Sequence, residues 1–168
     1  MPIEIVSRAV RPDDVPDIEA LHDRVFGPGA LTRTAYRIRE GTPFASPFCR
    51  VALHDGVIIA AIRFTAITIG NRAGSLMLGP LAVDPDYANQ GHGRRLVREG
   101  LDAARAAGVA IVVLVGDEAY YVRLGFVPVA PVGRIRLPGP VDLRRLLAAE
   151  LKAGSLAAMS GMIAAACG

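Results

Sequence analysis

Between Val83 and Val115 the chain passes from the end of an apolar strand, through a polar loop and two glycines, into a basic amphipathic helix and then a continuous apolar run. The helix is predicted over Gly91 to Ala107, with Leu96, Val97, Leu101 and Ala104 as its buried stripe and Arg94, Arg98, Asp102 and Arg105 facing out. Arg95 with Glu99, and Arg98 with Asp102, have the spacing of i,i+4 ion pairs, and Gly108 suits the helix stop. Val109 to Val115 is apolar throughout, as expected of a parallel strand covered on both faces. A strand, helix and buried strand in that order put a parallel pair inside whatever sheet the chain builds.

Hairpin signals dominate the remainder. Ile3 to Val10 reads as a first strand, and Arg11-Pro12-Asp13-Asp14 opens a helix in which Val15, Ile18, Leu21, His22 and Val25 recur at helical spacing. A second helix is predicted from Leu31 to Arg39, between Gly27-Pro28-Gly29 and Gly41-Thr42-Pro43. Phe48 to Leu53 and Val57 to Ile69 flank Asp55-Gly56, a tight-hairpin signal. A turn from Gly70 to Gly74 leads into a strand from Ser75 to Val83. That strand contains Gly79-Pro80, and proline cannot donate to a ladder. Either the strand lies at an edge, or its pairing is interrupted there by a bulge or splay. Asp117 reads as the N-cap of a short helix through Leu124. Phe126 to Val129 and Arg134 to Leu137 read as short strands, and Val141 to Lys152 has helical periodicity. The 168 residues show no repeat or linker that would divide them, so one domain is expected over 1–168.

Composition excludes several classes. Hydrophobic residues make up 52% of the chain and charged ones 21%, which suits a compact fold rather than a disordered one. The net charge of +3 is a small excess, and Arg94, Arg95 and Arg98 cluster beside the glycines. That is a local anion site, without the basic stripe and stacking aromatics of a nucleic-acid surface. Cys49 and Cys167 make neither a disulfide framework nor a zinc spacing, and Cys49 is expected in the core. No metal is expected. A signal peptide and a membrane span are both absent from the sequence pattern, so a cytoplasmic location is the expectation.

The glycines carry the chemistry. A helix N-terminus offers unpaired backbone N–H groups and a partial positive charge, which suits a pyrophosphate. A dinucleotide fingerprint would need a third glycine where Leu96 stands, and would follow its strand directly; here Asp84 to Gln90 intervene. A P-loop is excluded by the lack of Gly-Lys-Ser/Thr. Instead, Val83-Asp84-Pro85, then Gly91-x-Gly93, then Leu96-Val97, with Tyr121 four residues before Gly125-Phe126, resemble the acyl-CoA core of the GNAT acetyltransferase superfamily. The Leu-Gly-Pro-Leu-Ala-Val and Gly-Asp-x-x-Tyr-Tyr segments together resemble a bacterial subgroup of it. The pattern's leading Gln/Arg position is occupied here by Ala88.

The resemblance implies an α/β fold with a mixed, mostly antiparallel sheet flanked by helices and splayed centrally at the acyl-CoA site. It implies transfer of an acetyl group from acetyl-CoA to an amine of a small molecule or peptide by direct attack, with no covalent enzyme intermediate. Leu81, Ala82 and Val83 would offer backbone groups to the pantetheine arm. Asn89, Gln90, Gly91, His92, Gly93 and Arg94 would wrap the pyrophosphate, and Arg94 or Arg98 would reach the 3′-phosphate. Tyr121 would be the general acid for the leaving thiolate, while Tyr120 is expected to pack. The strand from Ser75 to Val83 has no acid to serve as base; Asp84, Glu118 and Glu40 are available but read as loop or surface carboxylates. Ala88 and the missing base leave a non-catalytic acyl-CoA-binding module as the alternative. The apolar tail from Leu156 to Ala166 would serve either a homodimer or the core.

Overall fold

The computed structural model describes residues 4–27 and 47–166. The helix predicted over Leu31 to Arg39, together with Glu40 and Cys167, lies outside them. In chain order the elements are β1 (Ile5–Ala9), α1 (Val15–Phe26), β2 (Arg50–His54), β3 (Val57–Ile69), β4 (Arg72–Val83), α2 (His92–Ala106) and β5 (Ile111–Val115). Then follow α3 (Glu118–Tyr121), β6 (Val127–Pro128), β7 (Ile135–Arg136), β8 (Leu146–Glu150), α4 (Ser155–Ala158) and β9 (Gly161–Ala165).

The strands lie in the order β1-β2-β3-β4-β5-β8-β6. Along that path β4–β5 is parallel and every other pair antiparallel. Asp55 and Gly56 have φ of 50° and 78°, and Gly70 and Asn71 have 54° and 68°. Two consecutive left-handed residues match the twist of a two-residue hairpin. The second turn is therefore tighter than predicted: Ile69 pairs with Arg72, and β4 begins at Arg72 rather than Ser75. β3 is long enough to hold two neighbours on one edge, β2 along residues 57–62 and β9 along residues 67–69.

β4 is a central strand, which removes the edge-strand reading of its proline. Pairing with β3 slips between Ile62↔Leu81 and Phe64↔Leu78, so Gly79 and Pro80 stand opposite the single residue Arg63 as a bulge. On its other edge β4 pairs with β5 through Ser75↔Ile111, Leu76↔Val112 and Met77↔Val113 and no further. Past Met77 the two strands part. β4 runs on to Val83 against β3, and β5 runs on to Val115 against β8.

Each face of the sheet has its own core. α2 packs over one face, where Ile62, Phe64, Leu78, Leu96, Val97, Leu114 and Phe126 form a continuous buried layer. α1 covers part of the other through Ile18 and Leu21 against Val51, Ala61 and Ala82, beside Cys49. A third cluster joins Ile67, Met77, Ile111 and Val113 to Leu146, Met159 and Ile163. The periodicity of Val141 to Lys152 does not give a helix: a short turn over Leu143–Arg145 leads into β8. Leu and Ala favour helices in isolation, but Leu146, Leu147, Ala148 and Ala149 are buried between β5 and β6, and pairing on both edges overrides that preference. The C-terminal tail, expected at a dimer or in the core, goes to the core through Met159, Ile163 and β9.

Polar contacts lock α2 to the first hairpin. Glu99 takes hydrogen bonds from Arg50 at 2.8 Å and Arg95 at 3.1 Å, and also from the Ser7 hydroxyl. The predicted Arg98–Asp102 pair is not made; Asp102 pairs with Arg105 at 3.2 Å. Among the described residues no group of three or more His, Cys, Asp or Glu is placed to hold a metal, and no helix is long and apolar enough to cross a membrane.

Candidate functional site

At the end of β4 the backbone is shaped residue by residue. Asp84 accepts a hydrogen bond from the Asp86 amide at 3.0 Å and pairs with Arg24 of α1 at 3.2 Å, closing a turn over Pro85–Tyr87. The Tyr87 hydroxyl lies 2.6 Å from His54 Nδ1, which ties the loop to the end of β2. Asn89 and Gly91 then take positive φ of 62° and 88°. With Gly91 as N-cap, α2 starts at His92 and the first helical bond runs from the Arg95 amide to the Gly91 carbonyl at 3.0 Å. The earlier amides of the turn have no intrahelical partner and point away from the helix body, which makes an anion cradle.

Two glycines serve this cradle for different reasons. A Cβ on Gly91 would meet nothing within 4 Å, so its glycine is required by the left-handed backbone alone. We expect Gly91→Ala to cost about 1–2 kcal/mol and to lower Tm by about 2–8 °C in thermal denaturation; an unchanged Tm would contradict that geometry. Gly93 carries no such φ but is buried. Its Cβ would fall 2.9 Å from the Tyr120 hydroxyl, 3.3 Å from Val83 and 3.5 Å from Leu81. Close approach, rather than conformation, selects glycine there.

A cleft of about 300 Å³ opens at this point. Val83 at the end of β4 and Tyr87, Ala88 and Asn89 from the loop line it with Gly91, His92, Gly93 and Arg94 at the start of α2 and Tyr120 of α3. Six of the predicted binding residues thus line it: Val83, Asn89, Gly91, His92, Gly93 and Arg94. Gln90 is exposed and its side-chain oxygen meets His92 at 3.2 Å instead. Leu81 reaches Gly93 from β4, whereas Ala82 is buried in the opposite core, so only its main chain is available. Ala88 borders the cleft and brings no polar side chain.

The two tyrosines part company. Asp117 caps α3 as expected, accepting from the Ala119 amide at 3.1 Å. Tyr121 turns toward Phe126, with ring centroids 5.6 Å apart, and lies against Gly116. Burial, then the neighbouring Tyr120 and Asp117, push its phenol up to about 12. Tyr120, expected to pack, faces the cleft, with the Arg94 guanidinium 5.5 Å from its ring centre. Burial raises its phenol, while Arg94 and Arg98 pull the other way. Consecutive residues on a helix diverge by about 100°, so the two rings part: Tyr121, still partly exposed, packs on Phe126 and is not among the residues that line this cleft, while Tyr120 lines it. The doubled tyrosine was the available signal for Tyr120. Of the carboxylates considered as base, neither Asp84, engaged with Arg24, nor the exposed Glu118 lines the cleft, and Glu40 lies outside the described residues.

The pattern of the Acetyltransferase (GNAT) family matches residues 15–126, from the start of α1 to the phenylalanine under Tyr121. The chain belongs to the GNAT acetyltransferase family. The N-acetyltransferase YhbS of Escherichia coli strain K12 is 36% identical over 116 residues, 68% of this chain and 69% of that protein. YjhQ of the same strain, also an N-acetyltransferase, is 32% identical over 131 residues, covering 76% and 72%. The crystal structure of YhbS in complex with CoA superposes with a TM-score of 0.83 at 30% identity, over 99% of this chain and 92% of that one. A GNAT acetyltransferase of Brucella melitensis in complex with acetyl-CoA gives 0.64 at 32% identity, over 75% and 84%. This GNAT chain therefore has the mixed, mostly antiparallel sheet flanked by helices of its relatives, and it is an acyltransferase by family.

Proposed function

We propose that the protein transfers an acetyl group from acetyl-CoA to an amine, with the donor lying along the parted edge of β4 and its diphosphate at the first turn of α2. The observation that carries this reading is the cradle itself. Left-handed Asn89 and Gly91, a buried Gly93 with no room for a side chain, and Arg94 border one cleft at a helix N-terminus. That donor set is main-chain amide and guanidinium, suited to phosphate oxygens, and YhbS, the structural relative described above, holds CoA.

Leu81, Ala82 and Val83 receive the pantetheine arm through their backbone as an added strand would; support for this is that they lie on β4 beyond its last pair with β5. Asn89 to Arg94 surround the diphosphate, and Arg94 or Arg98 takes the 3′-phosphate. Ala88 removes a side-chain contact, which leaves the phosphates to the backbone. Acetyl-CoA supplies a thioester whose carbonyl carbon accepts the amine lone pair, so that a C–N bond forms and the C–S bond breaks with its electrons on sulfur. Tyr121 delivers its phenolic proton to that sulfur. No carboxylate takes the amine proton in this reading, and water carries it away.

The test is an acceptor screen that follows free thiol with acetyl-CoA and a panel of small amines and peptides, beside calorimetry with CoA. Amine-dependent thiol release is expected. CoA binding with no release across the panel favours a non-catalytic binding module, and no binding of CoA at all ends the reading.

A further inference from the structure

The Tyr120 hydroxyl is a polar group that the fold brings to the cleft and leaves without a use. It makes no hydrogen bond among the described residues, although the ring is held by Tyr121 at 4.8 Å between centroids and has the Arg94 guanidinium 5.5 Å from its centre. Its oxygen stands where a Cβ of Gly93 would come within 2.9 Å, between the side chains of Leu81 and Val83 and the first turn of α2. A phenol inserted at the N-terminus of a helix, beside two arginines, faces the same space as the unpaired amides there.

We propose that Tyr120 is a binding residue for the donor, its hydroxyl giving a hydrogen bond to an oxygen of the diphosphate held at the first turn of α2. The proposal rests on the acyl-CoA reading above. A neutral phenol is a donor to phosphate without adding charge to a site already lined by Arg94, and a hydrogen bond to an ionised acceptor is of the stronger kind. The close approach at Gly93 then has a functional consequence, since a side chain there would lift this hydroxyl out of the cradle. Tyr120 and Tyr121 then divide the work: one holds the donor and the other protonates its sulfur.

The experiment measures calorimetric Kd for CoA in the wild-type protein and in Tyr120→Phe, and repeats the comparison with S-acetylpantetheine, which lacks the diphosphate. The ring is retained and the lost hydroxyl has no partner in the fold, so Tyr120→Phe is expected to keep the wild-type Tm. The expected result is a Kd for CoA weaker by about tenfold or more, Kd for S-acetylpantetheine within about twofold of wild type, and kcat within about threefold. Equal CoA affinities in the two proteins overturn the proposal while leaving the acyl-CoA reading intact. So does a loss confined to kcat, which would make Tyr120 the acid, or an equal loss for S-acetylpantetheine, which would place the contact on the pantetheine arm. Wild-type protein that binds no CoA removes both the proposal and the reading beneath it, and so is told apart from failure of Tyr120 alone.

Discussion

Replacing Tyr121 with phenylalanine is expected to lower kcat by about a hundredfold to a thousandfold and to leave KM for acetyl-CoA within about threefold of wild type. The ring keeps its packing on Phe126, so the change removes the phenolic hydroxyl and little else. The shifted phenol adds a pH test with a definite sign. Its pKa is pushed up to about 12, so the protonated, donating form persists to higher pH than an ordinary tyrosine with a value near 10 would allow. The kcat profile should therefore show no alkaline fall assignable to Tyr121 below about pH 11. A Tyr121→Phe enzyme with undiminished turnover on an accepted amine would falsify the assignment. An alkaline limb between pH 9 and about 10 that vanishes in that variant would instead mean that the phenol is not held up.

Gly100→Val is expected to damage the fold itself. Gly100 lies on the buried side of α2, and even a Cβ there would sit 2.3 Å and 2.5 Å from two carbons of the Phe64 ring. Phe64 is 1% exposed, so neither the ring nor the helix has a free direction to yield. Helix propensity alone would favour replacing a mid-helix glycine, by up to about 1 kcal/mol for alanine. Overpacking opposes that by about 1–3 kcal/mol. A branched side chain carries the balance to a loss of about 3 kcal/mol and a Tm lower by about 6–12 °C. Phe64→Leu in the same protein should recover part of that loss by making room. Denaturation of the single and double variants decides the matter: an undisturbed Tm in Gly100→Val would show that the contact is not tight.

Much of the donor side of this molecule was legible because it is local. A buried helical stripe and an N-capping aspartate are each decided within a few residues, and α2 and Asp117 fall where they were expected. What escaped reading depends on partners distant in sequence. β8 is made of good helix formers and becomes a strand because β5 and β6 flank it. Asp102 chose Arg105 over Arg98, a difference of one helical step that spacing rules do not resolve. Tyr120 was assigned to packing because its environment comes from Gly93 and Arg94, more than two dozen residues earlier. Gly79-Pro80 left two readings open, and only the position of β4 in the sheet order decides for the bulge.

A sheet that parts in its middle cannot rely on backbone hydrogen bonds to hold its halves together there. In this protein that task passes to the apolar layer beneath, where side chains from β3, β4 and α2 meet those from β5 and β8. The chemistry of the open edge thereby sets where the chain is free to drift over evolutionary time. Substitutions in that layer strike the cohesion of the two halves and the shape of the open edge together. A lineage of such proteins would keep its seam and vary its rim.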